Sequence, residues 1–251
     1  MHPKRLVFLR ILVNAAIALA ITTLLLANAP IACAQSTVYA ITNTGVFGTL
    51  DLSSGTFTQL GSSGIEPVGM AGLGGNLFTE TPASGTLFLV NPSNGNLTTV
   101  GSGAAGLYCF GATTAALYGC GTDNNLYSVN PATGASTLIG STGLILRGGY
   151  TVAMSSNAGP LYLALDTGGG SILYSFNLNT GAATPIGNTG LRYVDSMVYA
   201  NGLLYAALYN GTLYTLNTNT GAATFVANTG QILWGMGKIV GPCALPIPAC
   251  Q

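Results

Sequence analysis

A repeat constrains this chain more than any other feature. Five segments share one pattern: VFGTLDLSSGTFTQLG (46–61), LFLVNPSNGNLTTVG (87–101), LYSVNPATGASTLIG (126–140), LYSFNLNTGAATPIG (173–187) and LYTLNTNTGAATFVA (213–227). Their central glycines, Gly55, Gly95, Gly134, Gly181 and Gly221, are 40, 39, 47 and 40 residues apart. Each copy reads as strand, tight turn, strand. Asp51, Asn91, Asn130, Asn177 or Asn217 stands four residues before each glycine, where a short polar side chain can bond the backbone of the turn that the glycine closes.

A further pair of apolar stretches lies upstream of each copy. NLFTET, ALYGCG, PLYLAL and LLYAAL match VYAIT near residue 38, and VGMAGL, CFGATT, YTVAM and DSMVYA precede the first four of these. Four short strands in a period of about 42 residues are the sequence signature of one β-propeller blade. The first copy lacks its innermost strand, and QILWGMGKIV (231–240) supplies that pattern at the other end of the chain. The reading predicts an all-β, five-bladed propeller of four-stranded blades, with the C-terminal strand closing the first blade. Such closure hides sheet edges, which a chain 49% apolar and only 5% charged requires.

The L-Y-x-[ILVF]-[DN]-x-x-[ST]-G-x-x-T-x-[IV]-G pattern resembles the repeats of secreted bacterial YVTN-type propellers. The resemblance covers essentially all of residues 35–241 and implies the fold while saying little about function. The core is also similar to quinoprotein repeats (Y-x-L-D-x-x-T-G), but those normally end in a docking tryptophan, and Trp234 is the only tryptophan here.

Residues 1–34 read as an export signal. Lys4, Arg5 and Arg10 precede an apolar run over 11–29, and Ala32-Cys33-Ala34 offers the small residues a signal peptidase reads. Retention as an N-terminal anchor, or lipidation at Cys33, are the alternatives; each predicts a folded part outside the cytoplasmic membrane, secreted or in the periplasm or envelope. Residues 242–251 form a Cys- and Pro-containing tail. Four cysteines remain beyond the signal, and local pairing predicts Cys109–Cys120, across a hairpin, and Cys243–Cys250, in the tail.

Beyond the signal the chain keeps Arg147, Arg192 and Lys238 against six acids, and no histidine. This excludes a basic nucleic-acid footprint and every mechanism or metal site that needs imidazole. No metal site or cofactor is predicted, although a divalent cation such as calcium is conceivable. Ten aromatics recur at equivalent strand positions (Tyr39, Phe78, Tyr118, Tyr162, Tyr205, Phe47, Phe88, Tyr127, Tyr174, Tyr214), and such recurrence points to packing between blades. Met70, Met154, Met197 and Met236 fall in innermost strands and read as core filling.

Seven of the nine charges beyond the signal map to one loop face: Glu66, Glu80, Asp123, Arg147, Asp166, Arg192 and Asp195. Counting five residues on from the glycine that ends each outer strand gives Gly69, Gly111, Gly148, Asp195 and Gly235, so one carboxylate stands where four glycines are expected. Asp195 with Arg192, Arg147, Tyr193, Trp234, Glu80, Asp123 and Asp166 form the predicted ligand face, with Glu80, Asp123 and Asp166 placed on loops. The expected function is a non-catalytic binding or interaction module for a neutral, glycan-like ligand or an extracellular protein. The alternative is a propeller enzyme with channel carboxylates in the manner of glycosidases, or lyase-like chemistry.

Overall fold

The computed structural model describes residues 36–239 except 83–84, 104–106, 147–151 and 158. Arg147, Gly148, Cys243 and Cys250, and the signal and tail assignments, lie outside the described residues. The fold is all-β, with twenty strands and no helix among the described residues. The first sheet holds β1 (Thr37–Thr42), β2 (Val46–Asp51) and β3 (Phe57–Ser62), with β20 (Leu233–Gly237) on the far side of β1. The C-terminal strand therefore pairs antiparallel with the first, as Tyr39↔Gly237 and Ala40↔Met236.

The second sheet runs β4 (Met70–Leu73), β5 (Asn76–Glu80), β6 (Thr86–Val90) and β7 (Leu97–Ser102). The third runs β8 (Leu107–Ala112), β9 (Leu117–Gly121), β10 (Asn125–Val129) and β11 (Ser136–Ser141). β12 (Val152–Ser156), β13 (Tyr162–Asp166), β14 (Ser171–Phe176) and β15 (Ala183–Asn188) form another run of four. So do β16 (Val194–Ala200), β17 (Leu203–Leu208), β18 (Thr212–Leu216) and β19 (Ala223–Asn228). These last two runs join through a short parallel pairing of β12 with β16, Ser155↔Met197, into one eight-stranded sheet.

Burial falls from the inside outward. Second strands such as β9 and β13 are buried at every position, whereas the fourth strands β3, β7, β11, β15 and β19 are half-buried or exposed throughout. The first strands neighbour one another in cyclic order: β4 by β8, β8 by β12, β12 by β16, β16 by β20 and β20 by β4. The core fills the gaps between successive sheets. Tyr118, Leu126, Met154, Leu163 and Tyr174 make one such cluster, and Ala153, Tyr162, Met197, Leu204 and Leu216 the next.

The turn series behaves as its chemistry dictates. The Asn91, Asn130, Asn177 and Asn217 side-chain oxygens each accept the amide two residues on at 2.9 Å, and Asp51 accepts that of Ser53 at 2.8 Å. The turn glycine then donates back to the carbonyl of the same Asp or Asn, as Gly95 does to Asn91 at 2.8 Å. The bond from the Ser53 hydroxyl holds the Asp51 carboxyl below its usual range.

The glycine ending each copy of the repeat has a different cause. The last two strands of every unit carry a bulge, at Leu60, Val100, Ile139, Ile186 and Val226. The bulge delivers the next residue against the turn of the following unit. A Cβ on Gly61, Gly101, Gly140 or Gly187 would overlap the carbonyl oxygen of Asn94, Thr133, Thr180 or Thr220. Ala227 is the exception. Its methyl group lies where the last unit meets the first, facing Gly55, on which a Cβ would sit 2.7 Å from it.

Candidate functional site

The registers bring five residues to one level. Counting from the recurring aromatic of each second strand, Met236 pairs with Ala40, Met70 with Thr79, Phe110 with Gly119, Met154 with Leu163 and Met197 with Ala206. These five residues, with Val68, Gly69, Asp195, Ser196, Trp234 and Gly235, line a cleft where the first strands converge. The approach is close: a Cβ on Gly69 would stand 2.5 Å from the Phe110 carbonyl oxygen, and one on Gly235 2.8 Å from the Met70 Cβ. At the other end of these strands the buried Asn157 side chain donates to the Gly72 carbonyl at 2.9 Å and accepts the Lys238 amide at 2.9 Å, tying β4 and β20 to the end of β12.

Asp195 lines the cleft, but its equivalence to four glycines is corrected by the registers. Val194 pairs with Leu208 and Ser196 with Ala207, so Asp195 is an extra, bulged residue. The residues bulged in the same way are Tyr108 in β8 and Trp234 in β20. Gly235 shares the level of Ser196, and Gly111 lies level with Val198. Counting along the chain fails because a bulge inserts one residue and flips every later side chain.

The Asp195 Oδ2 is buried without a hydrogen-bond partner, as is the Ser196 Oγ beside it. Burial pushes the Asp195 carboxyl up to about 7. Arg192 does not neutralise it, because its Nε stands 3.6 Å from Asp166 Oδ2 instead.

Asp166 and Glu80 correct the placement of these carboxylates on loops: each ends a second strand and is buried, at 1% and 2% exposure. Asp166 accepts the Gly168 amide at 2.8 Å and the Tyr193 amide at 3.1 Å. Burial acts to raise its carboxyl, but these two amides and Arg192 outweigh it and hold it below the usual range. Glu80 has no partner on either oxygen, and burial pushes its carboxyl up to about 8. It is not part of the cleft lining.

Asp123 does sit in a turn, with its Oδ2 accepting from Tyr127 Oη at 2.5 Å and from Asn125 Nδ2 at 2.7 Å. The Tyr127 bond is the main cause of its lowered carboxyl. Its role in this geometry is to close its own turn.

Beside the cleft, Tyr193 adopts a left-handed φ of 58°, a strained conformation for an aromatic residue. Asp166 holds its amide, and the Tyr209 amide donates to its carbonyl at 3.0 Å. The Tyr193 ring is 47% exposed, with the Arg192 guanidinium 4.8 Å from its centroid, and the side chain of its backbone partner Tyr209 is 55% exposed.

Cys109 and Cys120 face each other across β8 and β9, fully buried, as free thiols. Burial first, then the neighbouring Cys109 thiol, raises the Cys120 thiol well above its ordinary value. Among the described residues no group of three His, Cys, Asp or Glu side chains could hold a metal ion. Sequence reasoning missed the Phe110 position, Ser196, Tyr209 and Asn157. Tyr209 was within reach, as an aromatic beside the Asn210-Gly211 turn; the others carry no signal without the registers.

No family model matches the chain, and no curated protein matches it either. Among solved structures, a chain of a nidogen/laminin complex is similar over 80% of this chain and 97% of its own length, with a TM-score of 0.55 and 9% identity. That chain is propeller-like. This one shares its all-β fold, and at such identity the likeness concerns fold alone. A computationally designed protein, Ika8, matches over 76% of this chain and 58% of its own, at 12% identity and a TM-score of 0.41, too low to carry an argument.

Proposed function

We propose that the chain is an exported, five-bladed propeller of the YVTN-like kind and that it acts as a non-catalytic module binding a neutral, glycan-like ligand on the Tyr193 face. The cyclic order of the five first strands and the β20–β1 pairing support five blades closed by the C-terminal strand. Truncation after Gly230 tests closure: it leaves β1 without its β20 partner, and the product aggregates or melts far lower. A truncated chain that stays monomeric with an unchanged melting curve overturns it.

The observation that carries the binding reading is two exposed tyrosines, Tyr193 and Tyr209, joined by a backbone hydrogen bond, with Asp166 on the Tyr193 amide and Arg192 over the Tyr193 ring. Flat aromatic surface with fixed polar neighbours suits a sugar ring, whose C–H face stacks while its hydroxyls bond at the rim. The enzyme reading needs two carboxylates about 5–9.5 Å apart across a substrate, and the cleft lining includes one, Asp195.

The test is a panel of neutral oligosaccharides measured by calorimetry. Tyr193→Ala with Tyr209→Ala abolishes binding, while Phe225→Ala, an exposed ring on the outer strand β19, leaves it unchanged. Turnover of any oligosaccharide, or binding indifferent to the tyrosine pair, overturns the reading.

A further inference from the structure

We propose that Asn201, at the tip of the β16–β17 hairpin, is a site of spontaneous deamidation in the folded chain, promoted by the Lys238 ammonium group and consuming water as its co-reactant. The chain has three Asn-Gly pairs: Asn94-Gly95, Asn201-Gly202 and Asn210-Gly211. Asparagine before glycine favours this chemistry, because glycine has no Cβ to keep its backbone nitrogen away from the asparagine side chain. The fold decides which of the three reacts first.

Two of the pairs are sealed. Gly95 and Gly211 are buried, and the amide of each, the nucleophile of the reaction, donates within its own turn. Gly95 donates to the Asn91 carbonyl at 2.8 Å and Gly211 to that of Leu208 at 2.9 Å. The side chains are engaged too: Asn94 Oδ1 accepts the Asn96 amide at 2.9 Å, and Asn210 Oδ1 accepts the Thr212 amide at 3.1 Å and its hydroxyl at 2.5 Å. Both turns are also fixed from outside. The Asn94 carbonyl oxygen stands where a Cβ on Gly61 would go, and the Gly211 carbonyl accepts both the amide and the hydroxyl of Thr229 at 2.8 Å.

Asn201 and Gly202 differ. Both are exposed, and they form the two-residue loop between the paired Ala200 and Leu203, with φ of 53° and 79°. A Cβ on Gly202 would meet nothing within 4 Å, so this tip has room to move. The Asn201 Oδ1 accepts from Lys238 Nζ, just beyond the closing strand β20, at 3.4 Å. A cation on the amide oxygen draws electrons from Cγ. It also favours the negative charge that develops on that oxygen as the carbon becomes tetrahedral.

The step balances without an oxidant or reductant. Hydroxide takes the Gly202 amide proton, the Gly202 nitrogen bonds to Asn201 Cγ, and the Cγ–Nδ2 bond breaks. The leaving nitrogen takes a proton from water and departs as ammonia, and a five-membered succinimide remains. Water then opens the ring at Cγ to give aspartate, or at the backbone carbonyl carbon to give isoaspartate. Aspartate places a carboxylate opposite Lys238 where the amide stood, so a neutral contact at the closure of the array becomes an ion pair. The site is independent of the glycan reading, which uses the exposed Tyr193 and Tyr209.

The test incubates the whole folded chain in ¹⁸O-water at mildly alkaline pH and follows the three sites by peptide mapping with fragmentation. Asn201 acquires ¹⁸O-labelled aspartate and isoaspartate while Asn94 and Asn210 lag behind, and in the urea-unfolded chain all three react at similar rates. Lys238→Met slows Asn201 by about two- to fivefold, the size of a screened surface charge effect, and Lys238→Arg, which keeps the cation, retains most of the rate. Asn94 or Asn210 reacting as fast as Asn201 in the folded chain overturns the proposal. So does a folded chain that takes no label at Asn201, or a rate there indifferent to Lys238→Met. Should that variant fail to fold, high salt screens the ammonium in the unsubstituted chain instead, and a rate that does not fall with salt is then the overturning result.

Discussion

The Asn157 side chain is bonded to the Lys238 backbone amide at 2.9 Å across 81 residues of sequence, and its other end reaches Gly72. One buried amide therefore links the end of β12 to strands from the start and the finish of the repeat array. Asn157 has a left-handed φ of 61°, which asparagine tolerates better than most residues. Asn157→Ala removes both bonds and strains the backbone, and it lowers stability by about 2 kcal/mol or more in urea unfolding. Asn157→Gly relieves the strain alone. If the glycine variant recovers full stability, backbone strain rather than the bridge explains the effect.

Gly187 and the Thr220 carbonyl test contacts between units. A methyl group at position 187 overlaps that carbonyl, so Gly187→Ala forces neighbouring units apart and costs about 1–3 kcal/mol. Ala227→Gly, at the junction of last and first units, costs less than about 1 kcal/mol because the space is already built. Equal effects from the two substitutions would show that the junction is no different from the other four contacts.

Glu80 sets a pH dependence of stability. Its folded carboxyl is raised from 4.5 to about 8, so the folded chain holds a proton that the unfolded chain releases. The resulting stability is fully present below about pH 4.5 and is lost as pH rises toward 8, by up to about 1.4 kcal/mol per pH unit. Asp51, Asp123 and Asp166 act in the opposite sense: their lowered carboxyls stabilise above the usual carboxylate range, and that contribution is lost as pH falls through it. Urea midpoints measured from pH 5 to about 8 should decline for the natural chain and stay flatter for Glu80→Gln. A parallel decline in both sinks the assignment.

Cys109 and Cys120 face each other at one register position, so a disulfide between them asks little of the surrounding strands. Chain folded under oxidising conditions yields the 109–120 link in unreduced peptide maps. Chain folded under reducing conditions keeps two thiols that resist alkylation at pH 8, because both are fully buried and Cys120 ionises well above its ordinary value. A 109–243 link, or rapid alkylation of the native thiols, contradicts this.

Local chemistry is what the sequence by itself determined. Asp or Asn four residues before glycine makes the same turn wherever it occurs, because donor, acceptor and positive φ all lie within five residues. Alternating apolar residues then specify strands, and the repeat predicts the four-strand order of each unit, including the return of β20 to β1. Only the tertiary structure decided which residues meet at the centre. The level of Asp195 depends on a bulge and on links of unequal length, neither of which is visible along the chain. The burial of Glu80 and Asp166 depends on what the next sheet covers. The level shared by Met70, Phe110, Met154, Met197 and Met236 follows from five registers acting together, since positions 39 to 44 residues apart line one cleft only when the first strands converge there.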